Sequence, residues 1–143
     1  MNPEKPMKYA LSITFILLLP VVAVSGWIVI SLESAVKSSD IIVIGTLRDV
    51  SEETRDNIDY GTGKITVAEV LRGNLAPDQK LTLVWQNESN VDCPRVEHRS
   101  HQKIQAIWLL TQKPDGKVAA DNPGRFVSVE QRQAVLKLLR ERE

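Results

Sequence analysis

The sequence predicts a mainly β protein, in which a small five-stranded barrel with a C-terminal helix follows an N-terminal membrane segment. Three observations support this prediction. Residues 9–32 form an apolar run without a charge. Short stretches of alternating apolar and polar residues then follow up to residue 120, separated by turn-forming residues, as is typical of β-strands. The chain ends with apolar residues at helical spacing.

The composition favours one globular domain and excludes some partners. The chain has 143 residues, of which 43% are hydrophobic and 25% charged, so it can form one ordinary core. Its 18 basic residues balance 18 acidic ones, and we therefore expect no nucleic-acid partner. The chain has one cysteine and can form no internal disulfide, so the fold must depend on core packing.

The apolar run at residues 9–32 predicts a transmembrane helix. Its 24 residues would extend about 36 Å as a helix, which is enough to cross a bilayer with some tilt. Lys5 and Lys8 precede the run and Glu33 follows it. By the positive-inside rule, residues 1–8 stay in the cytoplasm and everything after the run is exported.

A cleaved signal sequence is the alternative for the same run. Residues 23–25, Ala-Val-Ser, could form a cleavage site before Gly26. The run is longer than a signal needs, so we predict an uncleaved anchor. Both alternatives place the domain outside the cytoplasm, either as a single-pass membrane protein or as a secreted or periplasmic one.

Residues 33–40 are predicted to be a short linker that keeps the domain, residues 41–143, close to the membrane. The first strand covers residues 40–50 and is expected to bend at Gly45, as small barrels require. Residues 51–63 are polar and contain two glycines, which predicts a loop between strands.

Alternating side chains predict four further strands. The second covers residues 64–71, and residues 72–79 turn the chain into the third, residues 80–85. The fourth and fifth strands cover residues 103–110 and residues 117–120. They form a hairpin around a tight turn at residues 113–116. The fourth strand is apolar on both faces and is expected to be buried on both. Trp85 and Trp108 alternate with core aliphatic residues, so we expect them to fill the core.

The C-terminal element is predicted to be a helix that begins at Ser128. Ser128 and Gln131 form a capping-box pattern, and Glu130 suits the positive end of the helix dipole. Four apolar residues share one stripe that would pack on the sheet, namely Ala134, Val135, Leu138 and Leu139.

This order of elements is that of a small, partly open barrel of the OB type. The turn EVLRG at residues 69–73 and the hairpin PDGKV at residues 114–118 resemble the netrin-like barrel of the tissue inhibitors of metalloproteinases and their bacterial relatives. The resemblance covers about 100 residues and implies the fold. Those inhibitors use a free N-terminal cysteine and several disulfides, both of which this sequence lacks, so no inhibitory residue is carried over.

The stretch around Cys93 contains the only cysteine and both histidines of the chain. Cys93, His98 and His101 could form a partial shell for zinc or copper, with Asp92 or Glu97 nearby. Their spacing matches none of the common zinc patterns. In an extended strand the two histidines would lie on opposite faces unless the segment turns.

Two other interpretations of this stretch remain open, a plain polar loop and a partner-binding loop. OB-type barrels bind ligands through one face and two loops, and here the long polar segments are residues 51–63 and 87–103. The candidate partner-binding residues are Asp92, Arg95, Glu97, His98, Arg99 and His101.

The sequence favours a binding protein over an enzyme. Pro94 follows Cys93 directly, without the helix N-terminus or glycine-rich setting that usually lowers a thiol pKa. We therefore expect a membrane-tethered, extracytoplasmic module that captures a protein or envelope ligand and has no catalytic activity or required cofactor. The alternative from another class is a metal-binding protein. An exported hydrolase would need a cleft with a perturbed titratable group, which no motif of this sequence indicates.

Overall fold

The computed structural model describes residues 29–88 and 96–141. The larger part of the predicted membrane segment, residues 9–28, lies outside these residues, as do Asp92, Cys93 and Arg95. Within the described residues, no helix is both long and apolar enough to cross a bilayer.

The described part of the chain is mainly β. Its helices and strands, in order, are α1 (Leu32–Lys37), β1 (Ile41–Arg55), β2 (Ile58–Arg72), β3 (Lys80–Glu88), β4 (Gln105–Gln112), β5 (Val118–Ala119), β6 (Phe126–Ser128) and α2 (Arg132–Arg140). Three short 3₁₀ turns connect them, at His98–His101, Pro123–Arg125 and Val129–Gln131. The prediction of a mainly β fold with a C-terminal helix is confirmed.

The six strands form one sheet in the order β1-β2-β3-β5-β4-β6. An additional pairing between β1 and β4 joins the first five of these strands into a ring. The contact between β3 and β5 is parallel and is made at Leu83 and Val118, whereas the other strand pairs are antiparallel. β6 pairs with the first half of β4.

The loop predicted at residues 51–63 is wrong, because β1 and β2 continue through this segment as a long hairpin. Only Asp56 and Asn57 form the turn, with φ of 52° and 61°. Two left-handed residues are the mark of a type I′ turn, whose twist matches that of the strands. We call residues 48–63 the hairpin arm. Its β1 side chains from residue 51 onward are exposed, so its composition resembles that of a loop although its backbone is paired.

The two glycines in this segment serve packing. A Cβ on Gly61 would lie 1.9 Å from Cε2 of Trp85, and one on Gly63 would lie 2.7 Å from Cδ1 of Leu47. Both positions must therefore be glycine for large core side chains to cross β2. The bend expected at Gly45 agrees with a shift in the β1–β2 register between Ile44 and Gly45.

Buried side chains form two clusters, one on each face of the sheet. The first, enclosed by the ring of strands, includes Leu47, Leu83, Trp85 and Trp108. The second lies between the sheet and the two helices; its buried members are Ala35, Val36, Ile42, Ile44, Ile107, Leu109, Val127 and Val135. β4 contributes alternate residues to both clusters and is buried on both faces over residues 106–110, as predicted. The two tryptophans are core residues, also as predicted.

The C-terminal helix begins later than predicted. Residues Val129–Gln131 form a 3₁₀ turn, and Ser128 Oγ accepts a hydrogen bond from the Glu130 N–H at 3.3 Å, so Ser128 caps that turn. Helix α2 follows it and buries Val135 against the second cluster, with Leu138 and Leu139 partly buried. Ala134, which was assigned to the apolar stripe, is exposed.

Residues 33–40, predicted to be a linker, contain most of α1, which packs on the sheet. Ala35 and Val36 are fully buried. Two arginines hold the C-terminal end of the helix. Arg72 Nη1 donates to the Val36 carbonyl at 2.6 Å, and the Arg125 guanidinium donates to Ser39 Oγ at 3.0 Å. The start of the described chain is therefore joined closely to the sheet.

Candidate functional site

Both histidines of the chain lie in the 3₁₀ turn His98–His101, which we call the histidine turn. Side chains three residues apart eclipse each other in a 3₁₀ helix, whereas they would diverge in a strand. The centroids of the two imidazole rings are accordingly 6.0 Å apart. The structure thus brings together two of the three predicted metal ligands, and the third, Cys93, lies outside the described residues.

The histidine rings pack among aromatic side chains from three strands. The His98 ring centroid lies 4.9 Å from that of Trp85 in β3 and 5.7 Å from that of Trp108 in β4. The His101 ring stacks on Phe126 of β6 at a centroid distance of 3.7 Å and an interplanar angle of 2°. We call these five rings the aromatic pocket. Sequence reasoning missed this grouping because it depends on which strands become neighbours when the ring closes.

His98 is fully buried, with 0% of its surface exposed. Among the described residues, no group makes a hydrogen bond of standard geometry with either ring nitrogen of His98, although the Ala120 backbone is close enough to act on this ring as a hydrogen-bond partner. Nδ1 of His101 and Nε1 of Trp85 likewise have no partner among these residues. A neutral imidazole carries one donor and one acceptor, and leaving such a buried group unpaired costs about 1–3 kcal/mol. The aromatic pocket therefore contains polar atoms whose hydrogen-bonding capacity is unused.

Burial keeps both imidazoles neutral. It lowers the pKa of His98 from 6.5 to about 4, and the nearby His101 acts in the same direction, while hydrogen bonding with the Ala120 backbone opposes the change. Burial also lowers the pKa of His101, and the Glu97 carboxylate opposes that change. At neutral pH each ring therefore retains an uncharged nitrogen with a lone pair.

The predicted partner-binding residues differ in accessibility. Glu97 and Arg99 are exposed, His101 is half-buried, and His98 is inaccessible to a partner. Arg99 Nε lies 2.8 Å from Glu52 Oε2 in the hairpin arm, with 60% and 31% of the two side chains exposed. This ion pair places the polar side of the histidine turn beside β1.

No protein-family model matches this chain, and no curated protein matches it either.

β1 has an unpaired edge in the hairpin arm. β4 pairs with β1 only as far as Thr46, and beyond the bridge between Leu47 and Gln102 no other described strand pairs with that edge. Next to a two-residue turn the flanking residues, Arg55 and Ile58, form a hydrogen-bonded pair. By alternation, the backbone N–H and C=O groups of Thr54 and Glu52 point toward the open edge.

The arm is acidic and its two strands are held together by side chains. Residues 48–59 contain five carboxylates and two arginines. Thr54 Oγ1 donates to Asp59 Oδ1 at 2.6 Å, and the Arg55 guanidinium lies 5.0 Å from the centroid of the Tyr60 ring. Sequence reasoning missed the open edge because these polar residues suggested a loop. The Asp-Asn dipeptide at the turn was the one available signal of a tight hairpin.

In the part of the chain that the structure describes, no group of three or more His, Cys, Asp or Glu side chains is arranged to hold a metal ion. The two candidate sites of this molecule are thus the aromatic pocket, with its pair of neutral histidines, and the open edge of the hairpin arm.

Proposed function

We propose that this protein is an OB-like binding module that captures a protein partner through the open edge of the hairpin arm and performs no catalysis. The part of the apolar run at residues 9–32 that precedes α1 would anchor it in a membrane, with the domain outside the cytoplasm. The observation that carries this proposal is the edge of β1 over residues 48–55, with which no other strand in residues 29–88 and 96–141 pairs.

The strand arrangement supports the OB-like assignment. A ring of five strands, a register shift in β1 and a C-terminal helix are features of a small, partly open barrel. In OB-type barrels the connection between the first two strands takes part in ligand binding. In this protein that connection is the hairpin arm, so the open edge lies where the resemblance to the netrin-like barrels implies a binding surface.

The chemistry of the arm favours an extended, basic segment as the partner. An open strand edge binds another chain by adding it as a further strand, with main-chain hydrogen bonds supplying affinity. The excess of carboxylates over arginines in the arm would attract and orient Lys- or Arg-rich segments. The same charges oppose pairing between two copies of this edge.

Site-specific photo-crosslinking in the full-length, membrane-bound chain tests this proposal. A photoreactive residue at Glu53 is expected to give a crosslinked adduct. The same residue at Glu33, which is exposed on α1 before the other end of β1, is expected to give none. Thr54→Pro removes an N–H that faces the open edge and keeps the β1–β2 ladder, so it should abolish the adduct. An adduct that persists in Thr54→Pro, or forms equally from position 33, would contradict the proposal.

A further inference from the structure

The aromatic pocket contains a polar side chain that the described residues satisfy only in part. His98 is fully buried, and the hydrogen bonding that acts on its ring comes from the Ala120 backbone, which leaves at least one ring nitrogen without a partner among the described residues. Buried polar groups in folded proteins have partners in about 90% of cases or more, so an unpaired one requires an explanation. Nδ1 of His101 is unpaired in the same pocket. Unused nitrogens on two neighbouring rings indicate a ligand that binds to nitrogen lone pairs.

We propose that the histidine turn binds one Cu(I) ion, through one ring nitrogen of His98 and one of His101. A ring nitrogen lies about 1.1 Å from the ring centroid and a metal–nitrogen bond measures about 2.0 Å, so two rings sharing one ion can have centroids up to about 6.2 Å apart. The observed centroid distance of 6.0 Å falls within this limit. It is close to the upper end, which corresponds to a nearly linear arrangement of nitrogen, metal and nitrogen.

A site made of these two rings suits Cu(I) better than zinc, because zinc sites usually have three or four protein ligands. Cu(I) is a soft d¹⁰ ion that binds imidazole and forms stable complexes with two donors.

The surroundings of the two rings suit a monovalent cation. The indoles of Trp85 and Trp108 have their centroids within 6 Å of the His98 centroid, so an ion bound to this ring would lie among aromatic side chains. A cation with one positive charge costs less to bury in such a pocket than a divalent one. The half-buried His101 provides a route of entry from solvent. The Arg99–Glu52 ion pair holds the histidine turn beside the hairpin arm, but Cu(I) binding would use the two rings and not the β1 edge, so it does not depend on the proposed partner binding.

Anaerobic titration of the detergent-purified full chain with Cu(I), against a competing Cu(I) chelator, tests the inference. We expect one ion per chain by native mass spectrometry, with quenching of tryptophan emission because Trp85 and Trp108 line the pocket. His101→Phe keeps an aromatic ring to stack on Phe126 and removes a ligand. It should weaken binding more than about 100-fold, since losing even an outer-shell partner costs about 10–100-fold.

Matched variants identify the site. Arg99→Gln, in the same turn but with an exposed side chain, should bind Cu(I) as the wild type does. An unchanged melting temperature in His101→Phe would show that lost binding is not lost folding. The inference is overturned if the wild type stays metal-free, if His101→Phe binds with unchanged affinity, or if zinc binds as tightly as Cu(I). It is also overturned if Cys93→Ser alone abolishes binding while His101→Phe retains it.

Discussion

Gly61 and Trp85 are paired residues of β2 and β3, and the indole occupies the space where any other residue at position 61 would place its Cβ. Gly61→Ala should therefore lower the free energy of unfolding by about 2–3 kcal/mol, measured by urea denaturation, because the core is overpacked. Gly116→Ala is the control. Its Cβ would meet nothing within 4 Å, although φ is +79°, so the expected loss is only about 1 kcal/mol.

A second substitution separates the clash from other effects of alanine in a strand. Trp85→Phe in the Gly61→Ala background should recover part of the lost stability, which a double-mutant cycle would show as a favourable coupling. Additive losses from the two substitutions would contradict the interpretation that these residues are matched in size.

His98 makes stability depend on pH. Its pKa falls from 6.5 to about 4 on folding, so between these values the unfolded chain takes up a proton that the folded chain does not. Its contribution is fully present above pH 6.5 and is lost as pH falls through about 4, by up to about 3 kcal/mol. Urea denaturation at several pH values, with a chelator present, measures it. His98→Phe should lose this part of the pH dependence, and an unchanged profile would refute the assignment.

At the residue level, the sequence predicted which side chains are buried better than it predicted what they touch. Trp85 and Trp108 alternate with aliphatic residues, which is a local signal, and both are core residues. The need for Gly61 opposite Trp85 depends on the register between β2 and β3. A glycine in a polar segment is typical of a loop, whether or not it also makes room for a core side chain. The packing role of Gly61 therefore could not be predicted.

Helix α1 is held to the sheet mainly at its C-terminal end, where Arg125 binds three oxygens at once. Its guanidinium donates to Ser38 Oγ at 2.9 Å, to Ser39 Oγ at 3.0 Å and to the Leu109 carbonyl at 3.2 Å. Arg125→Lys keeps the charge but cannot reproduce the planar fork. Since Ser39 is buried, we expect unfolding to become easier by about 1–3 kcal/mol in thermal or urea denaturation.

The matched control for this substitution is Arg140→Lys on α2. Arg140 is exposed and its Nε donates to the Leu136 carbonyl within the same helix. Its replacement should change stability by no more than about 0.5 kcal/mol. Equal effects at the two positions would mean that α1 is not held by the Arg125 contacts.

At the level of elements, prediction succeeded where one face of a strand is buried. β3 and β4 lie on the core, so their side chains follow a readable pattern. The distal part of β1 is exposed on both faces and its polar residues give no such pattern. The conformation of the histidine turn could not be predicted, because a 3₁₀ turn is short and its sequence has no distinctive periodicity.

Thiol labelling can test the orientation of the whole molecule across a membrane, because only one native cysteine has to be replaced. Cys93→Ser removes the native thiol, and Ser51→Cys then places one thiol on the exposed hairpin arm. If the run at residues 9–32 spans the membrane with Lys5 and Lys8 on the cytoplasmic side, the domain lies on the outer side. A membrane-impermeant maleimide should then label position 51 in cells that have lost their cell wall and any outer membrane but keep an intact cytoplasmic membrane. Asn2→Cys in the same background should be labelled only after lysis. The reverse pattern would contradict export of the domain.

At the level of the whole molecule, the mainly β fold could be predicted because each buried strand carries its own alternating pattern. The aromatic pocket could not, because it unites the turn after β3 with side chains of β3, β4 and β6. Those positions become neighbours only when the ring of strands closes. The order of strands in space is set by packing over the entire core, which no local spacing records.

The length of β1 limits how far from the membrane a partner could bind to the hairpin arm. This strand begins just after α1 and ends at the hairpin turn, so its 15 residues can span at most about 50 Å. If the chain is anchored just before α1, the acidic tip could stand above the lipid headgroups by no more than this length plus the reach of residues 29–40, and bending would shorten it. A partner would then have to be membrane-embedded itself or approach the bilayer to within this distance.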